Sequence, residues 1–413
     1  MKRYPTSRSW AQRASDFIET LYDPTWGGYR SVPGGAVTLY GTAYGLLARH
    51  YLGEKVDVSP DTRSFLVNCQ DRETGYFIGP ELREWSPPPG AKHNREHLLL
   101  HLASAALPAM QEFDIAPLHP LRFAQRFCDV SYLAEWLDGR DLTDAWLEGN
   151  NLLFVGQLLV YLRDVEAYPG AGQALEQWFR WLNDTVDPET GLWGTRHGLC
   201  SPFVAMCGGY HQLLVYYHEG RPIRSPDRLV DTVLRLQHAD GGFSPAGGGG
   251  ACEDVDAIDI LVNVYKRFDH RRPHIRAALR RAADSILGLQ NGDGGFSYKR
   301  GLVQGHMGIP AAHAAPNIST AFATWFRVHT LALIAEVLTD DPRFDLSFRF
   351  NRFLSMGWHV PWRREEHPIH MSTRLREVDP ALRFCVRNVI QRFRRTALRR
   401  IRGSRPAAFG DPA

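Results

Sequence analysis

The 413-residue chain lacks any apolar run close to the ~18–20 residues that a membrane-spanning helix needs. Residues 1–10 are polar and charged, without the apolar core of a secretory signal peptide. Cysteine is scarce: six residues are scattered along the chain, in no pattern typical of a disulfide framework. We therefore expect a cytoplasmic protein whose thiols are reduced.

The chain also lacks a strong net charge, since 48 basic and 45 acidic residues leave a formal charge of +3. Residues 380–410 are the exception, with nine arginines and neither Asp nor Glu. Within them, residues 382–401 are predicted to form a basic amphipathic helix, a type that binds anionic membrane surfaces and would place the protein at the inner membrane face. A solvated or intramolecular tail is the alternative. Nucleic acid is the least favoured partner, because no base-reading motif accompanies the arginines.

The sequence does contain a repeated motif that ends in Asp-Gly-Gly-Phe. It occurs at Gln237–Phe243 and again at Gln290–Phe296, each time after a predicted helix. Degenerate copies of the motif occur four more times. The aromatic residue that each of the six copies places at its turn therefore recurs every 47 to 70 residues. A period of this length is typical of repeated helical units that bury their apolar faces against one another. The six turn aromatics are Tyr29, Tyr76, Trp146, Trp193, Phe243 and Phe296.

Apolar periodicity between these turns predicts six helical pairs. The glycines supply the positive φ that a helix end needs, and the aromatic side chains are expected to pack into grooves between helices. Six antiparallel pairs can close into a ring of outer and inner helices. We therefore predict an all-α fold, an α6/α6 toroid over residues 1–340, followed by a C-terminal extension over residues 341–413 that carries the basic helix. An open α-solenoid is the alternative.

The Gln-x-x-x-Gly-Gly-Phe motif resembles the repeat of the squalene-cyclase and protein-prenyltransferase superfamily. The resemblance covers roughly residues 9–340. It implies one toroidal domain whose inner helices line a central cavity. It also implies an isoprenoid-directed enzyme with a lipid-like substrate.

Acidic residues follow the fifth turn, where an inner helix is expected to begin at the cavity mouth. Asp254-Val255-Asp256 is similar to the start of the Asp-x-Asp-Asp motif of protonation-initiated (class II) terpene cyclases, although Ala257 stands where the last Asp is required. The resemblance implies that Asp256 is the general acid and Asp254 its neighbour. Asp259 is expected to bind substrate, because it lies in the same acidic stretch near the start of the inner helix. The alternative is that these acids only stabilise the positive end of a helix.

The same segment can be compared with the zinc site of protein prenyltransferases. That resemblance implies Asp256 and His329 as ligands, but Ile258 occupies the position where the family's cysteine belongs. Cys252, on the other side of Asp256, is the weaker candidate for the third ligand. Zinc usually takes about four N, S or O ligands, and the expected set is incomplete. We therefore expect no cofactor and keep zinc as a weaker alternative.

Histidines supply the remaining candidates. His93, His97 and His101 recur at every fourth position and share one helix face. His93 and His97 are predicted to contact substrate, whereas His101 is expected to be structural. The long loop of residues 301–317 contains His306 and His313 and is expected to cover the cavity mouth. The predicted substrate-binding set is therefore His93, His97, Asp259, His313 and His329.

Two other functions remain open from the sequence. The first is a carbohydrate-active α/α-barrel enzyme (an epimerase, lyase or hydrolase) that uses Asp254 or Asp256 with His93 or His97. The second is a non-enzymatic toroid that binds a ligand or partner. The cavity wall discriminates between the enzymes, because a dry aromatic wall favours isoprenoids and a polar wall favours sugars.

Overall fold

The computed structural model describes residues 9–83 and 85–357. These residues form α-helices, short 3-10 turns and two small antiparallel ribbons. The α-helices are α1 (Trp10–Thr20), α2 (Leu39–Tyr51), α3 (Pro60–Asn68), α4 (Pro80–Arg83), α5 (Arg95–Glu112), α6 (Arg122–Gln125), α7 (Val130–Asp138), α8 (Ala145–Asp164), α9 (Ala171–Thr185), α10 (Pro202–His218), α11 (Pro226–Arg235), α12 (Ala251–Arg267), α13 (Arg272–Leu287) and α14 (Ala321–Ala335). The strands are β1 (Tyr22–Asp23), which pairs with β2 (Gly28–Tyr29), and β3 (Gln304–Gly305), which pairs with β4 (His313–Ala314).

The long inner helices form a closed ring. Helices α2, α5, α8, α10, α12 and α14 each contact the next one in this order, and α14 returns to contact α2. They are buried on nearly every side, which explains why their sequences carry apolar residues all round. More amphipathic helices, including α1, α9, α11 and α13, pack against the outside of the ring. The predicted α6/α6 toroid is therefore confirmed, and the open solenoid is wrong.

The glutamine of the repeated motif joins neighbouring outer helices. Gln237 Nε2 donates a hydrogen bond to the carbonyl oxygen of Ala278, in the next outer helix, at 2.8 Å. Gln290 Nε2 donates in the same way to the carbonyl oxygen of Trp10 at 2.8 Å. Because Trp10 begins the first outer helix, the second of these bonds links the last repeat to the first and helps to close the ring.

The first glycine of each Gly-Gly pair lies where no side chain fits. Gly241 and Gly294 have φ values of +95° and +93°. A Cβ atom on Gly294 would lie 2.2 Å from the carbonyl oxygen of Arg13, and one on Gly241 would lie 2.4 Å from that of Arg281. The two outer helices can therefore approach the turn closely only because these positions lack a side chain.

The turn aromatics pack as the sequence predicts. Tyr29, Trp193, Phe243 and Phe296 are all buried in the core. Trp146, from the most divergent of the six turns, is half-buried and contributes to the wall of a central cavity. Most of these rings are therefore core residues, and one of them reaches the candidate site.

One predicted helix is interrupted. The sequence predicts a single helix over residues 121–137, but α6 ends at Gln125 and α7 begins at Val130. Asp129 causes the break, because its carboxylate accepts hydrogen bonds from the backbone N–H groups of Ser131 and Tyr132 and so caps a new helix. Helix α12 also begins at Ala251, three residues before the predicted start.

The chain beyond α14 folds back onto the ring. Phe344, Phe350, Leu354 and Met356 are buried in the same hydrophobic core as the inner helices. The division at residue 340 stays a prediction, and the predicted basic helix lies outside the described residues. Within residues 9–83 and 85–357, no helix is both long and apolar enough to cross a membrane.

Candidate functional site

A cavity of about 310 Å³ lies inside the ring, at the end where the inner helices begin. Its wall combines aromatic rings, histidines, one carboxyl group and a few amide or aliphatic side chains. The lining residues are Lys92, His93, His101, Trp146, Leu147, Asn150, His211, Cys252, Asp256, Tyr298, Val303, Gln304, Gly305, His306, Met307, Phe322, Phe326 and Met356.

Asp254 occupies a repeated structural position. It is the fourth residue of α12, as Thr42 is of α2 and Thr324 is of α14. All three side-chain oxygens accept a hydrogen bond from the backbone N–H of the preceding turn aromatic, at 2.8 Å for Asp254 and 3.0 Å for the two threonines. The Asp254 carboxylate thus does in its repeat what a threonine hydroxyl does in two others.

Asp254 is also paired with a buried arginine. Arg327 Nη1 donates to its second oxygen, and both side chains are almost fully buried. Arg327 Nη2 donates further to the carbonyl oxygens of Gly249 at 2.7 Å and Tyr298 at 2.9 Å. Since Asp254 does not line the cavity and both of its oxygens are engaged, the structure gives it a role in holding the turn to α12 and α14.

Asp256, two residues further along α12, faces the cavity. Its side chain is 1% exposed, and its Oδ2 atom has no hydrogen-bond partner among the described residues. Burial, reinforced by the nearby carboxyl of Glu253, raises the pKa of Asp256 well above its usual range. Burial therefore favours the neutral form of the Asp256 carboxyl group, which lies in the cavity wall.

Four histidines share the wall with Asp256. Burial lowers the pKa of His93, lowers that of His101 well below its usual value, and brings those of His211 and His306 to about 4 and about 3. All four imidazoles are therefore uncharged at neutral pH. Apart from Lys92, which is paired with Asp144 at 2.7 Å, the titratable side chains of the wall therefore favour their neutral forms.

The hydrogen bonds of His211 fix its tautomer. Its Nδ1 lies 2.7 Å from the backbone carbonyl oxygen of Cys207, one turn earlier on α10. Since a carbonyl only accepts, Nδ1 carries the proton and Nε2 keeps a free lone pair. Burial and the nearby carboxyl of Asp256 raise the pKa of the Cys207 thiol well above its usual value. His211 on α10 and Asp256 on α12 therefore line one cavity from adjacent helices.

The loop of residues 301–317 covers part of the cavity, as the sequence predicts. Residues 303–307 contribute to the wall, and His306 Nε2 lies 3.4 Å from the hydroxyl of Tyr44 on α2. The paired strands β3 and β4 hold the loop against itself. His313, by contrast, is exposed on β4 and does not line the cavity.

Three other predicted residues are buried beside or below the cavity rather than in its wall. His97 Nδ1 is hydrogen-bonded to Asn151 Oδ1 at 2.8 Å, and burial lowers its pKa to about 4. Asp259 accepts from Asn263 Nδ2 at 2.9 Å, and burial raises its pKa to about 8. His329 is fully buried, and burial lowers its pKa to about 3. Their roles in substrate binding stay predictions.

The residues considered for zinc are not brought together. Cys252 and Asp256 both line the cavity, but His329 does not. In the part of the chain that the structure describes, no three His, Cys, Asp or Glu side chains are grouped so that they could hold a metal ion.

For two wall residues the prediction from the sequence was wrong or incomplete. His101 was expected to be structural, yet it lines the cavity beside His306, with 5.6 Å between the ring centroids. The sequence marks His211 as an inner-helix residue able to line the cavity, but it assigns no catalytic role to this residue; the structure places His211 in the wall. Met356 had no sequence signal, because it reaches the wall from a segment without helical or strand periodicity.

No family model matches this chain, and no curated protein matches it. It is similar to several solved structures, including the three that follow. A polysaccharide lyase has 15% identity and a TM-score of 0.42, with 81% of this chain and 99% of the lyase covered. A glycosyl hydrolase family 88 protein from Bacteroides vulgatus has 12% identity and a TM-score of 0.42, covering 79% and 99%. A possible member of the GH105 family from Salmonella enterica has 11% identity and a TM-score of 0.41, covering 82% and 97%.

These similarities contradict the predicted relationship to squalene cyclases and protein prenyltransferases, because the three structures are carbohydrate-active proteins by name. The predictions of a terpene cyclase and of a lipid-like isoprenoid substrate are therefore wrong. The cavity wall supplies a physical reason. A carbocation intermediate needs a dry aromatic wall, whereas neutral imidazoles such as those of His101 and His211 are bases that would remove a proton from it.

Proposed function

We propose that this protein is a carbohydrate-active enzyme that cleaves a bond to a sugar ring by general acid–base catalysis. Asp256 is the proton donor and His211 is the proton acceptor. The observation that carries the proposal is that one cavity wall contains both a carboxyl group whose pKa is raised by burial and a neutral imidazole with an unprotonated Nε2, on adjacent helices.

The character of the wall favours a sugar as the ligand. A sugar ring has apolar C–H faces and hydroxyl groups around its edge. Trp146, Tyr298 and Phe326 offer flat apolar surfaces, while Asn150 and Gln304 offer amide groups. The volume of about 310 Å³ lies at the small end of the ~300–1,000 Å³ range of ligand pockets. A single ring-sized unit suits this space better than an extended chain.

The site does not contain the two carboxyl groups that most glycoside hydrolases use. Among the described residues, Asp256 is the only carboxyl group in the cavity wall. An imidazole must therefore supply the base. His211 suits that role, because the carbonyl oxygen of Cys207 holds its ring in the tautomer that leaves Nε2 unprotonated.

The reaction then needs two coupled proton transfers. Asp256 gives its proton to the oxygen atom of the bond that breaks, which leaves as a hydroxyl group. His211 Nε2 takes a proton either from a water molecule whose oxygen bonds to the ring carbon, giving hydrolysis, or from a ring carbon, giving elimination and a new double bond. Asp256 ends as a carboxylate and His211 as an imidazolium, and exchange with solvent restores both.

The direct test is turnover of a panel of neutral and acidic oligosaccharides by the full-length protein, with products identified by mass spectrometry. Asp256→Asn should lower kcat by about 10²- to 10⁴-fold, the usual contribution of a general acid. An unsaturated product would assign elimination, and a product heavier by one water would assign hydrolysis. Absence of turnover across the panel, or wild-type kcat in Asp256→Asn, would refute the proposal.

Glu81→Gln is the matched control. Glu81 is also a buried carboxyl group whose pKa is raised by burial, but it lies outside the cavity wall. Its two oxygens accept hydrogen bonds from the backbone N–H groups of Leu39 and Tyr40 at 3.0 Å, where α2 begins. Its replacement should change stability while kcat stays near the wild-type value, which separates a catalytic defect from a folding defect.

The proposal places the enzyme in the cytoplasm, which the five free cysteines of the described residues support. Attachment to the inner membrane face through residues 382–401 is part of the same proposal and rests on the nine arginines of residues 380–410. Sedimentation of the full-length protein with vesicles of anionic and of neutral lipids tests it. Equal binding to both vesicle types would contradict an electrostatic attachment.

A further inference from the structure

The segment of residues 350–357, which we call the floor segment, enters the ring from the end opposite the cavity mouth. At this end, opposite the mouth, the carbonyl oxygen of Phe350 lies 3.3 Å from His50 Nε2, near the end of α2. The backbone N–H of Arg352 donates to Glu112, the last residue of α5, at 2.9 Å. The segment therefore starts where two inner helices finish.

The segment then runs inward between the inner helices. Gln157 Nε2, in the second half of α8, donates to the carbonyl oxygen of Leu354 at 2.8 Å. The backbone N–H of Gly357 donates to the hydroxyl of Tyr210 on α10 at 3.0 Å, and the hydroxyl of Tyr51 donates to the carbonyl oxygen of Gly357. Four inner helices (α2, α5, α8 and α10) thus hold the segment by hydrogen bonds.

Met356 is the point at which the floor segment meets the cavity. Its side chain is 4% exposed and belongs to the cavity wall, together with His101 and His211 from the middle of their helices. Leu354, two residues earlier, is equally buried but does not line the cavity. The wall residues of α8, α12 and α14 come instead from the first two turns of those helices, nearer the mouth.

We propose that the floor segment closes the inner end of the cavity and that Met356 determines how deep a substrate can enter. The toroid then offers a blind pocket with one entrance, so a ligand enters from the mouth and its leading unit stops at the Met356 side chain. The substrate-depth part of this inference rests on the proposed function, whereas the position of Met356 at the cavity floor does not.

The position is tested without any substrate by cysteine labelling of the full-length protein. Met356→Cys and Leu354→Cys are treated separately with methanethiosulfonate ethyltrimethylammonium, and modification of residue 356 or 354 is followed by peptide mass spectrometry. The two residues are equally buried and share one segment, so they form a matched pair. Native Cys252, which also lines the cavity, reports reagent entry in both variants.

We expect the cysteine at 356 to react at least about tenfold faster than the cysteine at 354, because only the former faces the cavity. Equal rates at the two positions while Cys252 reacts normally would overturn the floor assignment. A failure of Met356→Cys to react while Cys252 is labelled would overturn it too.

The effect on depth is tested with whichever saccharide the wild-type enzyme turns over. Met356→Trp shortens the cavity and should raise KM by about tenfold, in the range that a change of side-chain size in a pocket produces, with kcat nearly unchanged. Met356→Ala should admit a larger leading unit that the wild type rejects. Unchanged KM and unchanged substrate range in both variants would refute the role in depth. If the wild type turns over no saccharide, the proposed function fails while the labelling result still decides the floor assignment.

Discussion

The buried pair of Asp254 and Arg327 allows a quantitative test of whether Asp254 is structural. Thr42 and Thr324 accept the same turn hydrogen bond in two other repeats without any charge. We therefore predict that Asp254→Thr and Arg327→Met are each severely destabilising alone, but that the double variant folds with nearly wild-type stability. The physical reason is that each single change leaves one buried charge without its partner.

The magnitudes follow from the contacts. Removing one partner of a buried ion pair costs about 3–5 kcal/mol, so independent effects would sum to about 6–10 kcal/mol. In the double variant no charge remains, and a threonine at 254 can again accept from the N–H of Phe243. The carbonyl oxygens of Gly249 and Tyr298 lose their Arg327 donor, at about 1 kcal/mol each. The double variant should therefore lose only about 2 kcal/mol.

Urea unfolding followed by circular dichroism measures the free energy of unfolding for the wild type, both single variants and the double variant. The expected coupling energy is about 4 kcal/mol or more. Additive losses, with the double variant at 6 kcal/mol or beyond, would refute the view that Asp254 and Arg327 act as one neutralised pair. Turnover retained in the double variant would further show that neither side chain is needed for chemistry.

Two further predictions concern stability. Burial raises the folded-state pKa of Asp259 to about 8 from an unfolded value of about 3.9. Its contribution to the free energy of unfolding is therefore most favourable below about pH 4 and is lost as the pH rises to about 8. At pH 7 the free energy of unfolding is lower by at most about 4 kcal/mol than it is below pH 4. Asp259→Asn should make the urea midpoint less dependent on pH between pH 5 and pH 8. An unchanged pH profile would contradict a buried, neutral Asp259. Gln290→Ala removes the hydrogen bond to Trp10 that closes the ring, so it should cost about 1–2 kcal/mol and speed amide hydrogen exchange in α1, whereas exchange confined to α13 would argue against a closing role.

The aromatic turns show how far a repeat can be read without coordinates. The Gln, Gly-Gly and Phe positions of the fifth and sixth repeats are determined by local requirements: a positive φ, a close approach of two backbones and a carbonyl for the glutamine to bind. Because each requirement restricts the residue type, the sequence alone predicted six helical pairs and a ring. It did not predict the break at Asp129, because a capping carboxylate overrides apolar periodicity there.

The candidate site depended much more on tertiary structure. Asp254 and Asp256 differ by two positions in one acidic run, and the sequence could not tell which carboxyl is paired and which is free. Arg327, 73 residues away, neutralises the first, whereas the second faces a cavity that exists only once six helices have closed. The raised pKa of Asp256 is therefore mainly a consequence of burial, not of its local sequence.

By itself, then, the sequence determined the toroid and the region of its acidic site, because repeated turns and helical periodicity act over a few neighbouring residues. Only the tertiary structure decided that Asp256, His211 and Met356 line the same cavity, since Asp256 and Met356 lie 45 and 145 residues after His211 in the chain. Side chains so distant in the chain acquire their partners, their burial and their pKa values from packing, which no local pattern encodes.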